Sequence, residues 1–419
     1  MDTATSRQLD KYLRNRAVAT PWQLDGSTGT KFNAAVVVPA LAEARALPLL
    51  LASLAGNPKD SLRQTLILIV VNHRIDAPEA QKAENRQSLA WLHSDPFPQL
   101  ELAWVDASSV GLELPLKDGV GLARKIGFDL ALPRLDWEKS PLLISLDADT
   151  LVEPTYLPAI YAHFSQSRCA GATLPFRHQL ATDPQQEQAI RHYELYLRSY
   201  LFGLQQAGSP YAFHSIGSAF ACQAAAYLKA GGMNRRLAAE DFYFLQQLAK
   251  TGGVEMLRGT LVAPSPRFSG RVPFGTGRAV QEQVERGGVL FSFSSVAAFS
   301  MLHDWLLLVS DHWDGSAEML LTRAAAISPV LSDFLQSLKF KSNWAKLQKN
   351  HSGRQQFSAA FHCWFDGLRT RQFLIRAEFK SSVAPATDSV GRLLAWGGHP
   401  GIEGERQQLL LLEKLQGVG

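Results

Sequence analysis

Cysteine is scarce in this 419-residue chain, with only Cys169, Cys222 and Cys363 present, odd in number and widely spaced. Neither a disulfide framework nor a zinc cluster is indicated by that pattern, and a reducing, cytoplasmic setting is expected. Long hydrophobic runs are missing as well. The longest apolar stretch, Val289 to Val309, is interrupted by four serines, His303 and Asp304, and falls short of a membrane span. Its Phe291, Phe293, Phe299, Met301, Leu302, Trp305 and Leu306 read as core, with peripheral membrane contact as the most it allows. The opening residues run into Asp10, Lys11, Arg14 and Arg16 and lack the apolar centre of a secretory signal. No dense Lys/Arg run interleaved with aromatics occurs, and a net charge of +4 is mild, so nucleic acid is not an expected partner. Internal repeats and low-complexity tracts are also absent. The chain is 46% hydrophobic and 19% charged, a globular composition with core enough for two or three domains.

What is present is an alternation of apolar β-branched runs with helical spacing. Ala34 to Val38, closed by Pro39, reads as a strand, and Glu43 to Ala55 as a helix. Strands are expected again at Leu66–Val71, Leu100–Val105, Leu142–Leu146 and Cys169–Leu174. Helices are expected at Pro78–His93, Gly119–Leu132, Pro154–Phe164 and Gln185–Gln206. This order predicts a doubly wound, Rossmann-like α/β sheet flanked by helices. Residues 1–30 read as a short helix and linker, 31–284 as the α/β domain, and 285–419 as a helical C-terminal region without strand alternation.

Chemistry concentrates at Asp147 and Asp149, two residues apart where the run Leu142-Leu143-Ile144-Ser145-Leu146 ends. Ligands on open α/β sheets bind beyond the carboxyl ends of the strands. Side chains alternate along an extended backbone, so the two carboxylates would face one way. Hard oxygen donors of that kind suit Mg²⁺ or Mn²⁺ bridging to phosphate. The plainer alternative is a strand that ends in two solvated acids. Tyr193, Tyr196 and Tyr200 form one aromatic helix face, read as core before sugar platform. Arg271 and Arg278 flank a segment with two glycines that could approach an anion, or could be ordinary surface loop. His214 is a candidate further metal ligand or a hydrogen-bonded structural residue, and His178 shares that ambiguity more weakly. Glu240-Asp241 opens a helix, where acids also serve simply to complement the dipole.

Taken in order, Val38-Pro39-Ala40-Leu41-Ala42-Glu43, Gly121-Leu122-Ala123-Arg124-Lys125, Leu146-Asp147-Ala148-Asp149, Gly231-Gly232-Met233 and Glu240-Asp241 resemble the motifs of the family 2 nucleotide-sugar glycosyltransferases of GT-A fold. The resemblance covers about residues 34 to 280. It implies that Pro39, Glu43 and Asn72 line the nucleoside and that Arg124 and Lys125 contact phosphate or sugar. It further implies that Asp149 holds the metal, with Asp147 nearer the sugar, and that Asp241 deprotonates the acceptor. Ala42 stands where the family has Asn, Asn72 where an Asp is common, and Lys125 where Asn is usual, which bears on donor identity more than on reaction class. The Gln-x-x-Arg-Trp signature of processive synthases is absent. The expected protein is therefore a soluble, non-processive, inverting transferase. Its partners would be a nucleoside-diphosphate sugar and a glycan, lipid or small-molecule acceptor.

Three other readings compete. A haloacid dehalogenase-like phosphatase wants its Asp-x-Asp-x-Thr after the first strand, whereas here the pair comes late and Thr150 follows directly. A nucleotidyltransferase wants a Gly-rich, Arg/Lys-bearing loop after the first strand, where Leu41 to Leu54 offers only Arg45. A degenerate transferase-fold scaffold without catalysis is the remaining alternative, motivated by the altered nucleoside-site positions.

Overall fold

The computed structural model describes residues 3–18, 21–268, 276–285, 291–378 and 386–418. The chain divides into two compact units, one of Met1–Ile190, Ser215–Gly287 and Gly417–Gly419, the other of Arg191–His214 and Gly288–Gln416.

Among the described residues, the first unit is built on ten strands: β1 (Asp25–Gly26), β2 (Ala34–Ala40), β3 (Thr65–Asn72), β4 (Glu101–Ala107), β5 (Leu142–Ser145), β6 (Leu151–Val152), β7 (Gly171–Thr173), β8 (Phe220–Gln223), β9 (Val254–Met256) and β10 (Val262–Ala263). Eight of them form one mixed sheet in the order β1-β4-β3-β2-β5-β8-β7-β9, while β10 and β6 pair separately. The parallel centre is β4-β3-β2-β5, with Val37 opposite Leu68 on one side and Ser145 on the other. Every residue of β2 and β3 is buried, which accounts for their unbroken apolar sequences, since a strand covered on both faces needs no polar alternation. The helix Val120–Ala131 packs on β2 and β3. It comes close because a Cβ at Gly127 would collide with the side chains of Val37 and Val70.

Strand order creates a crevice. From β2 the chain steps outward through β3 and β4, then returns to place β5 on the opposite flank of β2. The loops leaving β2 and β5 therefore diverge, and such a reversal point is where open α/β sheets accept ligands. Past β5 the parallel pattern stops, because β8 runs antiparallel to both β5 and β7.

The second unit is helical. Phe299, Leu302, Trp305, Leu331, Leu335, Phe340, Trp344, Phe357 and Phe373 are buried in one core, with Tyr196 and Tyr200 packed against it. Tyr196 and Tyr200 of the tyrosine stripe and the apolar stretch from Phe291 onward are thus core packing, while Tyr193 meets the Phe291 ring (5.3 Å between centroids). Among the described residues, no helix is long and apolar enough to cross a membrane.

Candidate active site

Arg124 is the centre of the site. It lies near the start of the Val120–Ala131 helix, only 3% exposed, and its guanidinium divides among three partners. Nε donates to Ser145 Oγ at the end of β5 (3.0 Å), Nη1 to Glu240, and Nη2 to Asp147. Gly217 makes room, since a Cβ there would run into the guanidinium. A buried arginine stays protonated because its neighbours compensate for lost hydration. Here burial works against the charge, and Asp147, Glu240 and Asp241 outweigh it, so the pKa rises.

Glu240 and Asp241 open the helix Glu240–Gly252, in its positive first turn. Glu240 is buried, and burial pushes its pKa up to about 7; Arg124 opposes that, while Asp241 and Asp147 add to it. Asp241 is half-buried and accepts a hydrogen bond from the Phe242 N–H (2.7 Å). Its pKa is also raised, again by burial first, with Arg124 opposing. The residue before them, Ala239, sits in the left-handed region at φ 58°, strained for a side chain with a Cβ.

A second ion-pair group lies at the β2 and β5 loops. Arg267, some 224 residues from Glu43 in sequence, donates Nη2 to the Glu43 carboxylate and places the same nitrogen 2.8 Å from Asp149 Oδ2. Nothing in the sequence singled out Arg267, for an isolated arginine near Pro264 and Pro266 carries no motif. The donor chemistry fits a divalent cation. Asp147 and Asp149 offer hard carboxylate oxygens that keep about a third and a quarter of their surface (36% and 24%), and a cationic nitrogen already bridges Glu43 and Asp149.

The remaining expected site residues distribute differently. Pro39 pairs with Val70 within the sheet, near the carboxyl end of β2. Asn72 ends β3, buried, with Nδ2 donating to Val70 O (2.9 Å) and its carbonyl accepting from Asn85 (2.9 Å). Lys125, expected to contact phosphate, instead points into a buried cluster with Asp129 Oδ2 (2.8 Å) and the Tyr12 hydroxyl (2.9 Å), because one step along a helix turns a side chain about 100° from Arg124. His214, expected as a possible metal ligand, lies in the second unit. Its Nε2–H donates to Gln416 Oε1 (3.1 Å), an acceptor that also takes Arg198 Nη1 (3.3 Å). Burial, aided by Arg198, lowers the His214 pKa to about 3, so the ring is neutral and Nε2 carries its hydrogen. Arg278 forms an exposed i,i+4 pair with Glu282 (2.7 Å) on the helix Thr276–Glu285. Arg271 lies outside the described residues.

No family model matches the chain, and no curated protein matches it in sequence. Solved structures with a similar arrangement include S. aureus TarS 1-349 in complex with UDP-GlcNAc, at 12% identity over 81% of this chain and 92% of that one, TM-score 0.41. The mannosyltransferase PcManGT from Pyrobaculum calidifontis, in complex with GDP-Man and Mn²⁺, is 14% identical over 99% and 93%, TM-score 0.38. GalNAc-T7 with UDP, GalNAc and Mn²⁺ is 13% identical over 61% and 48%, TM-score 0.36. At TM-scores of this size the likeness carries no inference about this chain.

Proposed function

We propose that this protein is a glycosyltransferase that moves a sugar from a nucleoside diphosphate to an acceptor hydroxyl by one inverting displacement, with Mg²⁺ or Mn²⁺ held by Asp147 and Asp149. The observation that carries this reading is the placement of Arg124. One buried guanidinium ties the carboxylate beyond β5 to the acid pair of the Glu240–Gly252 helix, so charge-neutralising and proton-accepting groups are fixed to each other at the strand-order reversal. The donor nucleoside would lie over the carboxyl ends of β2 and β3, beside Pro39, Glu43 and Asn72.

The cation, when bound, supplies neutralisation of the departing diphosphate. The chain's own residues do the rest. Asp241, outside the ion pair that holds Glu240, takes the acceptor hydroxyl proton as the new bond from oxygen to the anomeric carbon forms. The bond from that carbon to the phosphate oxygen breaks, and its electron pair leaves on the diphosphate. Glu240 positions Arg124, whose buried charge stabilises negative charge on the phosphate side. A base opposite the leaving group requires inversion at the anomeric carbon.

One observation supports a variant mechanism, in which the two arginines paired with Asp147 and Asp149 themselves neutralise the diphosphate and no metal is needed. Thermal melting against UDP-, GDP-, dTDP- and CDP-sugars, with Mn²⁺ or Mg²⁺ and then EDTA, separates the two. The expected result is a metal-dependent stabilisation by one nucleotide, about 2.7 kcal/mol at a hundredfold excess over Kd, abolished in Asp149→Ala. Asp241→Asn should keep that binding and lose about 10²- to 10⁴-fold in turnover. Stabilisation that survives EDTA but disappears in Arg267→Gln selects the arginine mechanism, and no response to any nucleotide sinks both.

A further inference from the structure

Far along the sheet from the β2/β5 crevice, at its β9 edge, three side chains of different chemistry converge. His163 comes from the helix Tyr156–Gln166, Cys169 from the turn that enters β7, and Glu255 from the middle of β9, where it pairs with Ala172. His163 Nε2 lies 3.6 Å from Cys169 Sγ and 3.4 Å from Glu255 Oε2. All three ligand atoms fall within 4.8 Å of one another.

Ordinary hydrogen bonding explains this poorly. A single imidazole N–H that served both the carboxylate and the sulfur would have to share one hydrogen between two acceptors. The distance to the carboxylate also exceeds the usual 2.7–3.2 Å range for N–H···O. Coordination explains it directly. With Zn–S of about 2.3 Å and Zn–N and Zn–O of about 2.0–2.2 Å, a tetrahedral centre sets sulfur and nitrogen about 3.6 Å apart and nitrogen and oxygen about 3.4 Å apart. Those edges match the two separations found. Glu255 is half-exposed (52%) while Cys169 is buried, so the carboxylate can adjust to the third edge and leave a fourth position to water.

We propose that His163, Cys169 and Glu255 form a binding site for one thiophilic divalent cation of the Zn²⁺ class, which pins the Tyr156–Gln166 helix to the edge strand β9. Thiolate and imidazole donors select this class over Mg²⁺, whereas the all-oxygen pair Asp147/Asp149 selects the reverse. The site is therefore independent of the transfer reaction proposed above. Burial pushes the Cys169 thiol up, with Glu255 adding to it and the Ser167 hydroxyl opposing.

The test uses the tag-free full chain, stripped with chelator and titrated with Co²⁺, then with Zn²⁺ in competition. The expected result is one equivalent of Co²⁺ giving a near-ultraviolet thiolate-to-cobalt charge-transfer band that Zn²⁺ displaces. Cys169→Ser should abolish the band, and His163→Gln or Glu255→Gln should weaken affinity by more than about a hundredfold, beyond the loss of an outer-shell partner. Asp149→Ala should leave the band intact. Absence of the band in the wild type, or its persistence in Cys169→Ser, overturns the proposal. Far-UV circular dichroism of each variant guards against misfolding, and Glu255→Gln, at an exposed position, keeps the test decisive should Cys169→Ser not fold.

Discussion

At the scale of single residues, the acid pair sets the pH behaviour. Glu240 binds its proton more tightly in the folded protein, with a pKa near 7 against an ordinary 4.5, and Asp241 is shifted the same way. Between pH 4.5 and 7 the native state thus holds more protons than the unfolded chain. This contribution to stability is full below the unfolded pKa and is lost as pH rises through the folded one. Activity runs in the opposite direction, since a base must be ionised to accept a proton. The acid limb of kcat/KM should report the Glu240/Asp241 pair as a coupled unit, raised well above the usual carboxylate range. Glu240→Gln removes a negative neighbour from Asp241, so that limb should move to lower pH while the wild type's loss of stability across pH 4.5–7 shrinks. An acid limb unmoved by Glu240→Gln would remove Asp241 from the role of base. Asp147, Asp149, Glu240 and Asp241 were legible because each belongs to a short pattern at the end of a strand or the start of a helix. Arg267 was not, since its partners lie 224 residues away in Glu43 and on the β5 loop, and no local spacing encodes such a meeting. His163, Cys169 and Glu255 share that difficulty. Three widely spaced cysteines indicated no zinc cluster, yet a mixed His/Cys/Glu set needs only one cysteine and a fold to assemble it.

At the scale of elements, what the sequence conveyed follows from burial. β2, β3, β4 and β5 are central and parallel, their apolar runs stand out, and each was placed within about two residues. β8, four residues long and antiparallel between β5 and β7, gave no signal, because its Phe220-Ala221-Cys222-Gln223 has no period to distinguish it from the turn around it. The two-residue strands β6 and β10 are shorter than any pattern. Element boundaries also hold the strain. Both Ala42 and Ala239 adopt left-handed backbone, at φ 55° and 58°, and each immediately precedes an acid of the site, Glu43 or Glu240. The Ala42 conformation is one that Asn adopts more easily than Ala, which gives a physical sense to the departure noted at that position. Ala239 is exposed, so Ala239→Gly loses no packing and relieves the Cβ clash. The strain relieved, offset by the added freedom of the unfolded chain, should leave a net gain of about 0.5–1 kcal/mol in urea unfolding. If the strain serves to aim Glu240 at Arg124, the same variant should lose turnover while melting later. A gain in stability with activity unchanged would leave the strain without a function.

For the whole molecule, the order of the chain matters as much as its two units. The second unit is not a C-terminal appendage, because it takes Arg191–His214 from the middle of the sequence and returns Gly417–Gly419 to the first. Within the second unit, Leu195, Phe202 and Leu204 are buried against a core supplied mainly by Phe299, Trp305 and the helices that follow, while Arg198 is fully buried with Glu194 and Gln416. A chain ended after residue 287 would keep the long helix Pro184–Gln206 and lose what covers that half of it. Each of those three apolar side chains would forfeit about 1.5–3 kcal/mol of burial, and Arg198 would lose its Gln416 partner. The truncated protein should therefore bind a hydrophobic dye and elute as aggregate in size exclusion, even though the sheet and every ion pair of Arg124 and Arg267 lie within the retained sequence. Adding Leu195→Lys, Phe202→Glu and Leu204→Lys to the truncated chain should restore a monodisperse species, since the defect is an uncovered apolar face and not an unfolded sheet. A truncation that stays monomeric without those changes would show that residues 191–214 do not need the second unit's core.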